Sequence, residues 1–586
     1  MGRSHSRQIG LFSGGVTRRQ AIAGFSAAAL AVCAPAAAFA DAAPTAPAPA
    51  NETVIVLSDD GITVNGDPIA EEPGGKVYAA CDVVYYEDRD TYDSGNPYGE
   101  GEADERHSAE DAAKVTVVHI AEPGAYRVSG SLSAGQIWVD LGEDAAEDPA
   151  AVVELVLDGV DITCDVAPAV VFYRVFECDN AWSADSATSE VDTVAAGANV
   201  IIQDGSTNTV NGGHVARIYK DDADEKKLWK IDGAFYSFMS MNVDGGPEDS
   251  GVLNINADNE GLDTELHLTI NGGNISIVSH DDGINTNEDG VSVTTINGGT
   301  LHILAGVGAE GDGVDSNGWL VINGGTVISM ANPRSDAGLD SDMGSFVNGG
   351  TVVALGSTMD WAESDSEQVT MNLQFAAQQS AGDAIVVMDG DGKVVFAYDP
   401  SEDETAGTQV RSYQGAVLSC PNFEVGATYA VYIGGTLEGA ETQGVYDAET
   451  ITRYEGGTQQ GYTGTDVGGF GPGGMGPGMG MGPGGRGGMG GPGGQGGQNG
   501  EPPAMPDGAE PPADMPEPPS GEAPADAPKP PADGAEPPAM PEGEAPADMP
   551  EPPADGGQPQ AASSGEMSVD FYMQDKVNAF SGVAGV

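Results

Sequence analysis

The tetrapeptide Asn271-Gly272-Gly273-Asn274 contains an Asn-Gly-Gly motif that recurs along the chain and decides its fold. The Asn-Gly-Gly step returns at 297–299, 323–325 and 348–350, at intervals of 26, 26 and 25 residues. A fixed period between about 20 and 50 residues is typical of solenoids and other repeat arrays. The sequence therefore predicts a repetitive architecture for the middle of the chain.

Each repeat divides into short strands separated by turn residues. Leu266 to Ile270 alternates apolar and polar side chains, the Asn-Gly-Gly step supplies residues that tolerate a positive φ, and Ile275 to Val278 is a second strand. A third strand follows at Gly283-Ile284-Asn285-Thr286-Asn287. No part of the repeat could hold a helix of about ten residues. The pattern predicts one coil of a parallel β-helix, stabilised by stacking on its neighbours.

The third strand of each coil predicts a file of polar side chains. Because successive side chains of a strand point to opposite faces, Asn285 and Asn287 face away from Ile284, which must be inside. Neighbouring coils lie about 4.8 Å apart, and two carboxylates at that distance repel by about 3–4 kcal/mol at an effective dielectric near 20. We expect this outward acidic file to attract a cation; its members are Asp263, Glu265, Asn285, Asn287, Asp315, Asn317, Asp340 and Asp342.

Acidic residues crowd around the third strands, which predicts a calcium site. Calcium takes about six to eight oxygen ligands from carboxylates, amide carbonyls and water. The alternative is a solvated acidic flank in which asparagine ladders brace the coils. The predicted metal ligands are Asp258, Asp263, Glu265, Asp281, Asp282, Glu310, Asp312, Asp315, Asp336, Asp340 and Asp342, with Glu260 beside them; the predicted ligand-binding residues are Asn285, Asn287, Asn317 and Trp319.

The first 40 residues have the features of an export signal. A basic stretch with the paired arginines Arg18-Arg19 precedes the small apolar residues Ala21 to Val32, and Ala38-Phe39-Ala40 is typical of a cleavage site. The paired arginines favour the twin-arginine route. The alternative is a lipoprotein acylated at Cys33, which the bulky residue before it disfavours. We expect a secreted or cell-surface protein.

The charge balance restricts the partners. The chain has 22 Lys and Arg against 91 Asp and Glu, a net charge of −69. This excludes nucleic acids and anionic membranes as partners on electrostatic grounds, and we expect no membrane insertion.

An exported chain can form disulfides, and Cys164 and Cys178 lie on neighbouring predicted strands, so this pair is the disulfide candidate. Buried thiols are the alternative.

Four blocks of sequence resemble, in the same order, blocks of the secreted carbohydrate-binding domain family of bacteria. The resemblance runs from about Thr53 to Gly435. It implies a right-handed parallel β-helix similar to that of pectate lyases, a handedness that agrees with the rule for parallel crossovers. It also implies calcium-dependent binding of acidic plant polysaccharide, such as polygalacturonate, without cleavage. The blocks are Pro123 to Ile137, Leu155 to Thr163, Asp204 to Val210 and Asp232 to Ser237.

Other functions stay open at this point. A calcium-dependent polyuronate lyase needs a base, in pectate-lyase-like enzymes typically an arginine beside the metal, and Arg334 is nearly the only basic residue of the core coils. A structural adhesin would use its tail to attach to the cell envelope. A neutral glucan stacked on Trp319 or Trp361 is an alternative ligand.

Composition divides the chain into segments. Gly, Pro, Met and Glu runs over 463–565 cannot bury a core, so we expect disorder there. The apolar pattern of 566–586 predicts a segment that docks back on the body or binds a partner. The chain is thus predicted to be all-β, with a signal at 1–40, a linker at 41–52, a β-helix at 53–358, a β-rich cap at 359–462, a disordered segment at 463–565 and an apolar segment at 566–586.

Overall fold

The computed structural model describes residues 52–71, 73–84, 109–180, 183–184, 186–215, 231–357, 361–402, 411–465 and 567–586, and the backbone alone at 218–221, 224–229 and 466–467. The predicted signal, nearly all of the linker and residues 468–565 of the predicted disordered segment lie outside these ranges. Helix within them is confined to α1 (Ala109–Ala112) and two 3₁₀ turns, Ala145–Glu147 and Pro400–Glu402. The all-β prediction is confirmed. Among these residues, no helix combines the length and hydropathy needed to cross a bilayer.

The strands are short and follow one another closely. Before the repeats they are β1 (Thr53–Leu57), β2 (Thr63–Val64), β3 (Asp67–Pro68), β4 (Val77–Ala80), β5 (Thr116–Ile120), β6 (Gly124–Leu132), β7 (Gly135–Asp140), β8 (Val153–Cys164), β9 (Val170–Arg174), β10 (Ala198–Ile202), β11 (Thr207–Gly212), β12 (Ile218–Asp221) and β13 (Asp224–Trp229). Through the repeats they are β14 (Gly233–Ser237), β15 (Met241–Gly245), β16 (Val252–Ala257), β17 (Glu260–Thr264), β18 (Leu268–Ile270), β19 (Asn274–Ser279), β20 (Ile284–Thr286), β21 (Val293–Ile296), β22 (Thr300–Leu304), β23 (Val314–Ser316), β24 (Trp319–Ile322), β25 (Thr326–Met330), β26 (Gly344–Val347) and β27 (Thr351–Gly356). Beyond them are β28 (Thr370–Gln379), β29 (Ile385–Met388), β30 (Val394–Tyr398), β31 (Tyr413–Ser419), β32 (Thr428–Ile433), β33 (Thr436–Glu438), β34 (Glu441–Thr442), β35 (Val445–Tyr446), β36 (Arg453–Glu455), β37 (Thr458–Gly461), β38 (Gly464–Val467), β39 (Phe571–Tyr572) and β40 (Val577–Gly585).

The repeat strands pair in parallel as three ladders. The first ladder is β11, β16, β19, β22, β25 and β27, in this order. The second ladder is β10, β15, β18, β21, β24 and β26. The third ladder runs β4, β5, β7, β9, β14, β17, β20 and β23, and only its β4–β5 pair is antiparallel among the described strands. From β15 to β23 the chain passes through the second, first and third ladders in turn, once in every repeat.

Apolar side chains of successive coils stack in register inside the first ladder. The strand pairings align one residue of each coil with the next, and each side chain of this stack is at most 1% exposed. Burying an aliphatic side chain of this size contributes about 1.5–3 kcal/mol relative to leaving it exposed, so the coils stabilise one another. The stack is Leu253, Ile275, Leu301, Val327 and Val352.

The Asn-Gly-Gly turns carry an asparagine ladder on the surface, formed by Asn271, Asn297, Asn323 and Asn348. From Asn297 onward, each Nδ2 donates to the Oδ1 of the asparagine one coil earlier at 2.9 Å. The second glycine of each turn has a positive φ, from +80° to +96°. A Cβ at Gly299 would lie 2.5 Å from the carbonyl oxygen of Gly273, so close stacking requires glycine there.

Antiparallel strands follow the last coil. Strand β27 pairs with β31, and β31 pairs with β28. Strands β29 and β30 form a hairpin, and β32 pairs with β29 on its other side. At the hairpin turn, the Oδ1 of Asp389 accepts from the N–H groups of Asp391 and Lys393 at 3.0 and 2.9 Å. Residues 567–586 add β39 and β40 to this part of the molecule.

The four described cysteines are free thiols, so the predicted Cys164–Cys178 disulfide is absent. Cys164 ends β8 and Cys178 follows the end of β9, so the whole of β9 separates them. Burial raises the pKa of Cys164 to about 11. Burial and the neighbouring Glu177 carboxylate raise the pKa of Cys178 to about 12. Buried thiols were the alternative that the sequence left open; Cys164 is buried and Cys178 is half-buried.

Candidate functional site

The acidic file lies on one face of the third ladder. Leu262, Ile284 and Val314 are aligned across β17, β20 and β23, and all three belong to the hydrophobic core. Side chains alternate along a strand, so their neighbours Asp263, Asn285 and Asp315 lie on the opposite face. The chain thus places the file as the alternation predicted, one member above the next.

Several members of the file are buried, where we expected them to face solvent. Asp263 is 0% exposed, Asn285 1% and Asn287 6%. Polar side chains of adjacent coils cover one another: Asn285 Nδ2 donates to Glu260 Oε1 at 2.9 Å, and Asn287 Nδ2 donates to Asp263 Oδ1 at 2.7 Å. The expectation of a solvated outer row is therefore wrong at these positions. Glu265, Asp315, Asn317 and Asp340 are half-buried and Asp342 is exposed.

Three buried acids converge beside the file and form what we call the carboxylate cluster. Asp232, just before β14, meets Glu260 and Asp263 of β17, and one oxygen of each lies within 4.8 Å of the others. The Oδ1 atoms of Asn285 and Asn287 accept no hydrogen bond from the described residues. The cluster and these amides together offer only oxygen donors, in a place closed to bulk solvent.

Asp232 was missed as a site residue in the sequence because it precedes the visible repeats. A signal for it exists: an acidic residue comes directly before the glycine in Asp232-Gly233, Glu260-Gly261, Asp282-Gly283 and Asp312-Gly313. Each dipeptide lies at the start of a third-ladder strand or immediately before one. The acid-glycine step therefore places a carboxylate at the same end of each of these strands.

The line of acids continues from Glu260 to the next coils. Burial, followed by the Asp281, Asp315, Asp312 and Glu260 carboxylates, raises the pKa of Asp282 well above its ordinary range. Burial and the carboxylates of Asp340, Asp315 and Asp336 do the same to the pKa of Asp312, although the Ala337 N–H lowers it. Negative charge on this part of the ladder is therefore costly.

Other predicted site residues lie at the margin of this arrangement. Asp258 Oδ1 is 3.1 Å from His214 Nδ1, and Glu310 and Arg334 are exposed. Asp281 and Asp336 are half-buried; Asp336 Oδ2 accepts from the Gly311 N–H at 3.0 Å. Asn317 donates from Nδ2 to the Asn287 carbonyl at 2.7 Å. Trp319 and Trp361 are half-buried, and Trp319 belongs to the second ladder, away from the acidic file.

The other half of the third ladder carries an aromatic row. The row consists of Tyr78, His119, Trp138, Tyr173 and Phe238, and all five side chains are half-buried. They lie on the same face as the acidic file, since Ile137 and Val139 of β7 point into the core on either side of Trp138. Ring centroids are 4.5 Å apart for Tyr78–His119, 5.0 Å for Trp138–Tyr173 and 4.9 Å for Tyr173–Phe238.

Tyr236 links the two halves of this face. Its ring lies 5.0 Å from that of Phe238, and its hydroxyl donates to Glu265. Burial and the nearby carboxylates of Glu265 and Asp263 raise the pKa of Tyr236 well above its ordinary value, so it remains a donor. The aromatic row was missed in the sequence because its strands show no repeat, although aromatic residues at Trp138, Tyr173 and Tyr236 mark them.

Comparison with known proteins identifies the family. A family model described as a carbohydrate-binding domain-containing protein matches residues 114–406. The solved structure of a polysaccharide lyase-like protein from C. thermocellum, a gadolinium derivative, is similar at 22% identity and a TM-score of 0.30, over 51% of this chain and 92% of that chain. No curated protein matches. The resemblance of the sequence predicted a carbohydrate-binding family. Because the family model spans half of the chain, the protein belongs to the family of carbohydrate-binding domain-containing proteins.

Proposed function

We propose that the three ladders wind into a right-handed parallel β-helix whose third-ladder face binds polysaccharide through calcium. The order in which the chain visits the ladders, one strand of each per repeat, supports the winding. Parallel crossovers are right-handed in nearly all proteins, which supports the hand. Membership of a carbohydrate-binding family supports the ligand class.

The observation that carries the calcium proposal is the donor set around the carboxylate cluster. Two oxygens on one calcium ion, each about 2.3–2.6 Å from it, can be up to about 5 Å apart, and the cluster oxygens lie within 4.8 Å of one another. The amide oxygens of Asn285 and Asn287 would add neutral ligands. The donor set therefore fits a hard divalent cation, held by Asp232, Glu260 and Asp263.

An acidic polysaccharide, such as polygalacturonate, is the proposed ligand. A face this rich in carboxylates repels a polyanion unless bound cations offset its charge. Calcium supplies the positive charge that lets sugar carboxylates approach protein carboxylates. The aromatic row then offers ring faces to the sugars that follow along the polymer. Export, with removal of 1–40, would place the site where calcium is abundant, and the region after 467 would connect it to the cell envelope.

We propose binding without cleavage. The base expected for a lyase, Arg334, is exposed and lies in the loop between β25 and β26. Its backbone N–H donates to Asn332 Oδ1 at 3.1 Å. A lyase acting through Arg334 would release unsaturated products that absorb ultraviolet light. We expect no such product from polygalacturonate in calcium, and product formation lost in Arg334→Ala would overturn the non-catalytic part of the proposal.

The experiment is a binding titration with polygalacturonate and a neutral glucan, in calcium and in chelator. We expect polygalacturonate binding in calcium, a loss of at least a hundredfold in chelator, and a similar loss in Asp263→Asn. The matched control is Asp391→Asn, which makes the same change at an exposed position of the β29–β30 turn and should bind as the parent does. Unchanged polygalacturonate affinity in chelator would remove calcium from the mechanism.

A further inference from the structure

Residues 567–586, which we call the returning segment, complete the sheet beyond the last coil. Strand β40 pairs in parallel with β28, from Thr370↔Val577 to Phe375↔Val583. On its other side β40 pairs antiparallel with β38, from Gly464↔Ser581 to Val467↔Asn578. The strand therefore lies between two others, and without it both would have unpaired backbone N–H and C=O groups.

The returning segment also fills the core. The side chains of Phe571, Met573, Val577, Phe580 and Val583 are at most 2% exposed. The Phe571 and Phe580 rings lie 4.9 Å apart, and each is about as close to Tyr462, at 5.0 and 4.9 Å. The contacts with Tyr462 are made to the body, so packing and strand pairing both hold the segment in its position.

Polar contacts fix the register of β40. Asn578 is 0% exposed. Its Oδ1 accepts from the N–H groups of Gln574 and Asp575 at 2.8 and 3.1 Å, and its Nδ2 donates to the Thr370 carbonyl at 3.4 Å. The bonds to Gln574 and Asp575 lie within the segment, but a second bond to β28 runs from the Asn372 Nδ2 to the Asn578 carbonyl at 3.1 Å. A shift by one residue would break both bonds to β28 and turn Phe580 out of the core. The groove between β28 and β38 is thus specific for this sequence.

The covalent connection between the body and the returning segment is long. Residues 468–566 separate β38 from the returning segment. Residues on either side of this stretch nevertheless form an antiparallel β-bridge. The Tyr462 N–H donates to the Ser568 carbonyl at 2.8 Å, and the Ser568 N–H donates back to the Tyr462 carbonyl at 3.0 Å. A connection of this length raises the local concentration of its end to about a millimolar at most. A strand from a second copy therefore competes when its own concentration approaches that level.

We propose that the groove between β28 and β38 is a binding site for the returning segment as a separate element, so that two copies of this chain can exchange it. The occupant is residues 567–586, from the same copy or from another. Exchange joins copies without any new contact, because each groove receives the same strand that it binds in one chain. A chain cut between 468 and 566 keeps the segment in place.

The test starts from the full chain carrying a specific protease site between 468 and 566, folded and then cleaved. We expect the fragment that contains the returning segment to co-elute with the body in gel filtration, and a labelled peptide of residues 567–586 to replace it. A Phe580→Ala peptide should compete at least a hundredfold less well. The matched control is a Tyr572→Ala peptide, since Tyr572 is 50% exposed; it should compete as the parent peptide does.

Two results would overturn the proposal. In one, the fragment separates from the body after cleavage, which shows that the connection is needed to hold it. In the other, the fragment stays but labelled peptide does not enter even after warming close to the unfolding temperature, which shows that the strand cannot exchange. Neither result bears on polysaccharide binding, because the groove lies apart from the third ladder in the strand order.

Discussion

Two rows of polar side chains run along the repeats of this protein, the asparagine ladder and the acidic file. They differ in charge, burial and hydrogen bonding. The asparagine ladder lies on the surface and is neutral, and each amide after Asn271 donates to the one before it at 2.9 Å. Apart from the exposed Asp342, the acidic file and the carboxylate cluster are partly or fully buried, and they are negatively charged. Two of their amide oxygens, on Asn285 and Asn287, accept no hydrogen bond among the described residues.

The same stacking of coils therefore produces two outcomes. An amide can donate and accept, so a column of amides closes on itself and stabilises the fold. Ionised carboxylates only accept, so a column of them repels unless a cation is bound. Buried polar atoms without hydrogen-bond partners are rare in proteins and call for an explanation. A bound cation at the third ladder provides one, whereas the asparagine ladder requires none.

The largest expected contrast is in the pH dependence of stability in chelator. Because the pKa values of Asp282 and Asp312 are raised from the ordinary 3.8, the folded state holds their protons at pH values where the unfolded state has released them. The stability that these groups contribute is complete below the ordinary pKa and is lost as pH rises through the raised values. We expect Asp312→Asn to be more stable relative to the parent at pH 7 than at pH 4.

The measurement is thermal unfolding of the parent and of Asp312→Asn from pH 4 to pH 7 in chelator, since titrating groups remote from Asp312 cancel in the difference. The Asn297→Asp variant sharpens the comparison, because it adds a charge to the exposed asparagine ladder and should show a much weaker dependence. A pH-independent difference for Asp312→Asn would mean that burial does not disfavour its ionised form.

The smaller effect is expected in the asparagine ladder. Asn297→Ala removes one donated and one accepted hydrogen bond at an exposed position, which should lower the free energy of unfolding by about 1 kcal/mol. Polysaccharide affinity should be unchanged, as measured by the same titration in calcium. A loss of affinity comparable to that of Asp263→Asn would assign the ladder a part in binding and would remove the distinction between the two files.

The sequence predicts the parts of this fold that depend on local pattern. The Asn-Gly-Gly period predicts the stacked coils, and the alternation in Gly283 to Asn287 predicts that Ile284 faces the core and Asn285 faces away. The burial of Asn285 could not be predicted in this way, because it depends on Glu260 from the neighbouring coil. The aromatic row lies on strands without a visible repeat. The absence of the Cys164–Cys178 disulfide could not be predicted from local pattern either, since only the fold shows that β9 separates the two cysteines.

Calorimetric titration of calcium into the chelator-treated full chain tests the central claim most directly. We predict saturable binding by the parent, and its loss or a reduction of at least a hundredfold in Asp263→Asn, while Asp391→Asn binds as the parent does. Absence of saturable calcium binding by the parent, or equal binding by Asp263→Asn, would contradict the assignment of a cation to the carboxylate cluster of the third ladder.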